Sequence, residues 1–228
     1  MEETQLQPKI GALVVGQSPR SEVDEEFQRL VKGSAQLLLK GALDDFSRAE
    51  LDSFKPVSDD DALFTRLPNG DGISLSKKQV VLHGAEKLAD LKSSGVDVVI
   101  MLCTGVFPEW QDFKGVLFPS RTLASMVKGC MPTGKICVFA PLPRQCANTK
   151  LRWEEKGYEV VSLPLLPNAT REEAMSAAEA AALHDLDLII LDCISYTNET
   201  KRIIRETAAV PVILGISSAI RCALEMVE

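Results

Sequence analysis

The sequence has no excess of basic residues and no long apolar run. Its 32 Asp and Glu against 25 Lys and Arg give a formal net charge of −7. This charge argues against nucleic acid or an anionic membrane as the main partner, because both attract Lys and Arg. No apolar segment reaches the roughly 20 residues that a membrane-spanning helix needs, and residues 1–9 lack the features of a signal peptide. We therefore expect a cytoplasmic protein.

Residues that bind metals or nucleotides are also few and poorly spaced for those roles. The two histidines, His83 and His184, do not form an H-x-x-x-H pair, and none of the six cysteines forms a C-x-x-C pair. The chain has neither a G-x-G-x-x-G segment nor a Walker lysine, so nucleotide binding has no support in the sequence. We expect no metal site and no disulfide framework.

Short apolar runs alternate with longer amphipathic segments along the chain. The runs that predict strands are residues 10–15, 96–102, 135–140, 159–163, 186–191 and 212–214. The segments that predict helices are residues 19–32, 77–93, 120–129, 143–156, 170–184, 197–208 and 216–227. Several of the strand runs are apolar on consecutive residues, which is typical of strands covered by helices on both faces. The alternation predicts an α/β fold with a parallel, doubly wound sheet.

Two landmarks occur in the same order in both halves of the chain. The segment Asp97–Cys103 aligns with Asp187–Cys193, since both begin with Asp, continue as an apolar strand and end in Cys. Earlier in each half, a strand leads into a Pro-Arg pair, at Pro19 and at Pro143. Two parallel strands of any α/β protein can resemble each other by composition. The shared order nevertheless favours a duplication that gives two lobes.

The first half is longer than the second between these landmarks. The difference is close to the length of segment 41–75, which contains an Asn69-Gly70-Asp71-Gly72 turn between two short apolar runs. An Asn-Gly pair between apolar runs is a strong hairpin signal. We therefore predict a β-hairpin insertion over about 41–75 in the first lobe.

Cys103 and Cys193 lie just beyond the ends of two predicted strands. In open parallel sheets, ligands bind just beyond the carboxyl ends of the strands, and amides at a helix start can stabilise a thiolate there. These two cysteines are therefore candidates for chemistry, with a structural role as the alternative. The other four cysteines, Cys130, Cys137, Cys146 and Cys222, are interpreted as structural.

The segment that follows the first strand is a candidate anion site. We interpret Ser18 as a helix N-cap and Pro19 as the first helical residue, so that amides, a hydroxyl and the guanidinium of Arg20 are available to a carboxylate or phosphate. The alternative is an ordinary turn with a surface arginine. Ser120 and Arg121 repeat the combination at a second predicted helix start.

The segments GQSPR, LCTG, PSR and LDCISY together resemble the AroM family, a branch of the aspartate/glutamate racemase superfamily. The resemblance extends from Ile10 to Met226. It implies two flavodoxin-like lobes related by approximate two-fold symmetry, over residues 1–118 and 119–209. It also implies that a C-terminal helix, residues 210–228, packs back on the first lobe.

The resemblance implies an enzyme that works without a cofactor, with Cys103 and Cys193 as an acid/base pair on opposite faces of a small carboxylic acid. The groups that would bind the substrate are Gln17, Ser18, Arg20, Thr104, Gly105, Ser120, Arg121 and Ser195. Racemase sites commonly read Cys-Asn-Thr and Cys-Thr-His, whereas this chain has Cys103-Thr-Gly and Cys193-Ile-Ser. These departures argue against amino-acid racemisation specifically and leave a related isomerase, lyase or decarboxylase reaction on a small carboxylic acid open. A non-catalytic carboxylate-binding or regulatory protein is the alternative, and a homodimer is compatible with either.

Overall fold

The computed structural model describes residues 7–228, which divide into two compact units. The first unit contains the described residues up to Pro119 together with Ala219–Glu228, and the second contains Ser120–Ser218. Each unit has its own parallel sheet and its own cluster of buried apolar side chains. Each therefore has the organisation of a small α/β domain.

The strands of residues 7–228 are β1 (Lys9–Val14), β2 (Gln36–Gly41), β3 (Ala62–Arg66), β4 (Gly72–Ser76), β5 (Val98–Leu102), β6 (Val116–Leu117), β7 (Lys135–Ala140), β8 (Glu159–Pro164), β9 (Leu188–Leu191) and β10 (Val212–Leu214). The α-helices of the same part of the chain are α1 (Ser21–Val31), α2 (Arg48–Ser53), α3 (Lys77–Ser93), α4 (Pro119–Cys130), α5 (Cys146–Glu154), α6 (Arg171–Ala182), α7 (Asn198–Ala208) and α8 (Gly215–Val227). None of these helices combines the length and the hydropathy that crossing a membrane requires.

The two parallel sheets have the same topology. Their strand orders are β2-β1-β5-β6 in the first unit and β8-β7-β9-β10 in the second, and all neighbouring strands are parallel. In each sheet the first strand along the chain lies between the second and the third, which is the beginning of the flavodoxin-like order. The prediction of an α/β fold with two similar parallel-sheet lobes is confirmed.

One central strand of each sheet is buried along its whole length. All five residues of β5 and all four of β9 are buried, whereas in the edge strand β2 only Gly41 is. Continuous burial is expected where helices cover both faces of a parallel sheet. The two candidate cysteines therefore follow the most buried strands of their units.

The first unit contains an insertion between β2 and β5. It consists of α2 and the antiparallel hairpin β3–β4, in which Ala62 pairs with Ser76 and Arg66 with Gly72. The hairpin turn uses Gly70 at a φ of +90°, a conformation that glycine adopts without the steric cost of a Cβ. The hairpin lies in the predicted segment 41–75 and extends one residue beyond it. The second unit has only α6 at the equivalent place, between β8 and β9.

Candidate active site

The loops that follow β1 and β5 leave the sheet of the first unit at the same edge. Val14 pairs with Leu102 at the ends of these two neighbouring parallel strands. The segments that begin at Val15 and at Cys103 therefore start side by side. This arrangement brings Gln17, Ser18 and the residues around Cys103 to one edge, as the sequence predicts.

Cys103 lies half-buried at this edge. The backbone N–H of Gly105 donates a hydrogen bond to its Sγ atom, with an N–S distance of 3.3 Å. A hydrogen bond donated to sulfur stabilises the thiolate relative to the thiol. Gly105 also leaves space beside the sulfur, because a Cβ atom there would lie 3.3 Å from Sγ. The next residue, Thr104, is buried.

Cys193 follows β9 in the second unit and is more enclosed, with 9% of its surface exposed. The neighbouring residues are fixed on both sides. Before it, the buried carboxylate of Asp192 accepts a hydrogen bond of 2.8 Å from the indole N–H of Trp153 and forms an ion pair with Arg152. After it, the hydroxyl of Tyr196 donates to the Leu165 carbonyl at 2.5 Å.

The Tyr196 side chain is 1% exposed. Its burial raises the pKa of the phenol well above the ordinary value, and the nearby Cys193 and Asp192 raise it further. Tyr196 therefore acts as a hydrogen-bond donor rather than as an anion. Ser195, which was expected to bind a substrate carboxylate, is 4% exposed. The whole segment 192–196 is thus a buried, fixed part of the second unit.

The Ser18 loop differs from its predicted form. Helix α1 begins at Ser21 with Arg20 as its N-cap, so the interpretation of Ser18 as N-cap and Pro19 as first helical residue is wrong. The Ser18 N–H and hydroxyl instead donate to the carboxylate of Asp44, at 2.7 Å and 2.9 Å. The N–H of Gly41 donates to the same carboxylate at 2.7 Å. The carboxylate that these groups bind thus belongs to the chain itself.

Arg20 is not a surface arginine, because only 3% of its surface is exposed. Its Nε donates to the carboxylate of Glu22 at 2.7 Å, and its Nη1 donates to the hydroxyl of Thr65 at 2.9 Å. Gln17 donates through its side-chain amide to the carbonyl of Phe46 at 2.7 Å. These contacts connect the loop after β1 to the insertion.

The other predicted binding residues lie in the second unit. Helix α4 begins at Pro119, directly before Ser120 and Arg121. Ser120 is half-buried and Arg121 is exposed. The structure therefore keeps this Ser-Arg pair in the first turn of a helix, as the sequence predicts.

Three of the remaining cysteines are partly or fully buried, and one is not. Burial raises the pKa of Cys137 to about 12, with a smaller contribution from Cys146, and it also raises the pKa values of Cys146 and Cys222. Cys130 is exposed at the end of α4. Within residues 7–228, no group of three or more His, Cys, Asp or Glu side chains is arranged to hold a metal ion.

We expect Asp44→Ala to lower the free energy of unfolding by about 2 kcal/mol, because the donors of Ser18 and Gly41 lose their shared acceptor. Urea denaturation would measure the change. Asp45→Ala is the matched control: Asp45 is 71% exposed and pairs with Lys87, so its loss should cost about 0.2–1 kcal/mol. Equal effects of the two substitutions would contradict the role of Asp44 as an internal acceptor.

Two topologically equivalent parallel-sheet units, each with a cysteine just beyond its third strand, define an α/β protein built from two similar units. The family model described as AroM protein matches residues 10–227. The chain therefore belongs to the AroM family. The comparison with curated protein sequences found no match.

Solved structures with the same fold are remote in sequence. Maleate cis-trans isomerase from Nocardia farcinica is 12% identical, with a TM-score of 0.65 over 96% of this chain and 92% of that chain. Glutamate racemase from Francisella tularensis, in complex with D-glutamate, is 16% identical, with a TM-score of 0.58 over 96% and 81%. Arylmalonate decarboxylase is 16% identical, with a TM-score of 0.60 over 96% and 92%. At these identities the similarity is one of fold.

Proposed function

We propose that the protein is a racemase- or isomerase-type enzyme that acts on a small carboxylic acid, with Cys103 and Cys193 as its acid/base pair. The observation that supports the proposal is their equivalent position, just beyond the third, fully buried strand of each parallel sheet. The hydrogen bond from Gly105 to the Cys103 sulfur supports a thiolate there. The names of proteins with the same fold, a maleate isomerase, a glutamate racemase and an arylmalonate decarboxylase, support a carboxylate as substrate.

The chemistry needs one sulfur on each face of the reacting carbon. The thiolate of one cysteine accepts the proton on the carbon next to the carboxylate, and the thiol of the other donates a proton to the opposite face. The carbon inverts, one thiolate is consumed and the other is formed, so charge and protons balance. Because the side chains of the two cysteines accept and donate the protons, this scheme requires no cofactor. Substrate of the other handedness is converted by the same groups in the reverse roles.

A carboxylate-binding or regulatory protein is the second candidate. The enclosure of Cys193, with 9% of its surface exposed, favours it, because a buried thiol exchanges protons less readily with a ligand. In a carboxylate-binding protein of this kind, Cys103 would contact the bound carboxylate without catalysing its conversion. The two candidates differ in whether the carbon next to the carboxylate loses its proton.

Solvent exchange distinguishes the two functions. The protein would be incubated in deuterated water with aspartate, glutamate, maleate, aryl-substituted malonates and small 2-hydroxy acids, and each acid would be examined by NMR for deuterium at the reacting carbon. We expect deuterium in at least one of them, and none with the Cys103→Ser/Cys193→Ser double variant. Binding of an acid detected by calorimetry without any exchange would instead favour the carboxylate-binding protein.

A further inference from the structure

The hairpin β3–β4 lies directly against the loop that follows β1. The hydroxyl of Thr65, on β3, accepts the hydrogen bond from Arg20. A Cβ atom on Gly16 would lie 2.9 Å from the Thr65 methyl group, closer than real Cβ contacts allow. The insertion is therefore packed tightly onto the edge of the sheet where the candidate site residues of this unit begin.

A second close approach places the same strand beside Gly105, whose N–H binds the Cys103 sulfur. A Cβ atom added to Gly105 would lie 3.3 Å from the Cys103 sulfur and 3.4 Å from the Leu63 Cδ2 atom. Leu63 belongs to the buried apolar cluster against which Cys103 packs, and so does Phe107. The surface that flanks the sulfur on the side of Gly105 is thus apolar, and the insertion provides part of it.

The alternation of side chains along β3 explains how the hairpin presents Leu63. Leu63 and Thr65 are buried, whereas Phe64 and Arg66, on the other face, are half-buried. Successive residues of a strand point to opposite faces, so Leu63 and Thr65 lie on the face turned toward the loops after β1 and β5. Leu75 is the cross-strand partner of Leu63 and is fully buried.

We infer that Leu63 is a specificity-determining residue, which gives the Cys103 side of the site an apolar wall. The substrate would then be a small carboxylic acid with a hydrogen, alkyl or aryl substituent on the reacting carbon rather than a second charged group. A charged substituent would lose its water against the side chains of Leu63 and Phe107. The inference rests on the proposed function, since it takes Cys103 as the group that meets the reacting carbon.

Alkylation by 2-bromo acids tests the wall without knowledge of the substrate. The Cys103 thiolate attacks the carbon that bears bromine, a carbon–sulfur bond forms and bromide leaves. The probes are bromoacetate, 2-bromobutanoate, 2-bromo-2-phenylacetate and bromosuccinate, and peptide mass spectrometry follows each thiol. The exposed Cys130 of the same molecule serves as the reference for the intrinsic reactivity of each probe.

For each probe, the alkylation rate of Cys103 is divided by that of Cys130. We expect this ratio to be at least about tenfold higher for 2-bromobutanoate than for bromosuccinate. Leu63→Ala should raise the relative rate with the phenyl probe about tenfold, in the range by which one or two methylenes discriminate in an apolar pocket. Leu63→Val, a milder change, should shift it in the same direction. Leu75→Ala, which removes the same atoms from the same hairpin, should leave the selectivity unchanged.

Other outcomes would overturn the inference. Equal selectivity shifts in Leu63→Ala and Leu75→Ala would mean that general loosening of the hairpin, and not a wall at Leu63, sets the preference. A preference of Cys103 for bromosuccinate would contradict the apolar substrate class. The proposed activity is tested separately. If the alkylation rates show the apolar wall but no acid exchanges its proton in deuterated water, the proposed activity is wrong and the wall at Leu63 is still supported. Protection of Cys103 from all four probes, with Cys130 labelled, would overturn both.

Discussion

Replacing Cys103 by Ser should lower the turnover of an exchanged acid by about 10²–10⁴-fold, and Cys193→Ser should do the same. Serine keeps the size of the side chain but is a far weaker acid, so it does not carry the proton in either direction. Ligand affinity should change little, because the loss lies in proton transfer rather than in ground-state contacts. Turnover would be followed by NMR or polarimetry, and affinity by calorimetry.

The two single variants should also differ in the enantiomer that they process. A variant that keeps the cysteine facing the proton of one enantiomer should retain some exchange of that enantiomer into deuterated water. Cys130→Ser is the matched control, because Cys130 is exposed at the end of α4 and should leave turnover unchanged. Full activity in either the Cys103 or the Cys193 variant would exclude the two-cysteine mechanism.

Asp192→Ala should lower the free energy of unfolding by about 3 kcal/mol, the lower end of the range for breaking a buried ion pair. The lower end applies because 28% of the surface of the Arg152 side chain is exposed, so water can partly hydrate its charge. The indole N–H of Trp153, by contrast, is buried and would lose its acceptor. Urea denaturation of the purified variant would measure the change.

Helix α5 offers a matched control for Asp192. Glu154 pairs with Lys150 at 3.6 Å on the exposed side of this helix, and such pairs contribute about 0.3–0.5 kcal/mol. Glu154→Ala should therefore cost much less than Asp192→Ala. If both substitutions cost less than about 0.5 kcal/mol, the Asp192 contacts do not fix the segment that carries Cys193.

The central strands and longer helices could be predicted because their signals are local. The apolar runs of β7 and β10 and the amphipathic segment of α3 match the predicted ranges residue for residue. The edge strands β2 and β6 were missed. The sequence of β2 mixes charged and apolar residues because an edge strand is only partly covered, and β6 has only two residues. Helix α2 was missed because it has only six residues, although Ser47 and Glu50 form a capping box at its start.

The candidate site could be predicted only in its position along the strands. The rule that ligands bind at the carboxyl ends of parallel strands located Cys103 and Cys193. The partners of Ser18 and Arg20 could not be predicted, since Asp44 and Thr65 are distant in sequence and no local pattern pairs them. Asp192 did carry a signal: it interrupts an apolar run at the place where the first half of the repeat has Leu102.

The division of the chain between the units has a consequence for biosynthesis. The second unit is continuous, Ser120–Ser218, whereas the first is completed only by Ala219–Glu228, where the Ser34 hydroxyl donates to the Glu228 carboxylate at 3.3 Å. At a translation rate of roughly 5–20 residues per second, the roughly 100 residues of the second unit delay that completion by about 5–20 s. The amino-terminal unit is therefore the later of the two to gain all the contacts described for it, because Ala219–Glu228 are synthesised after the whole second unit.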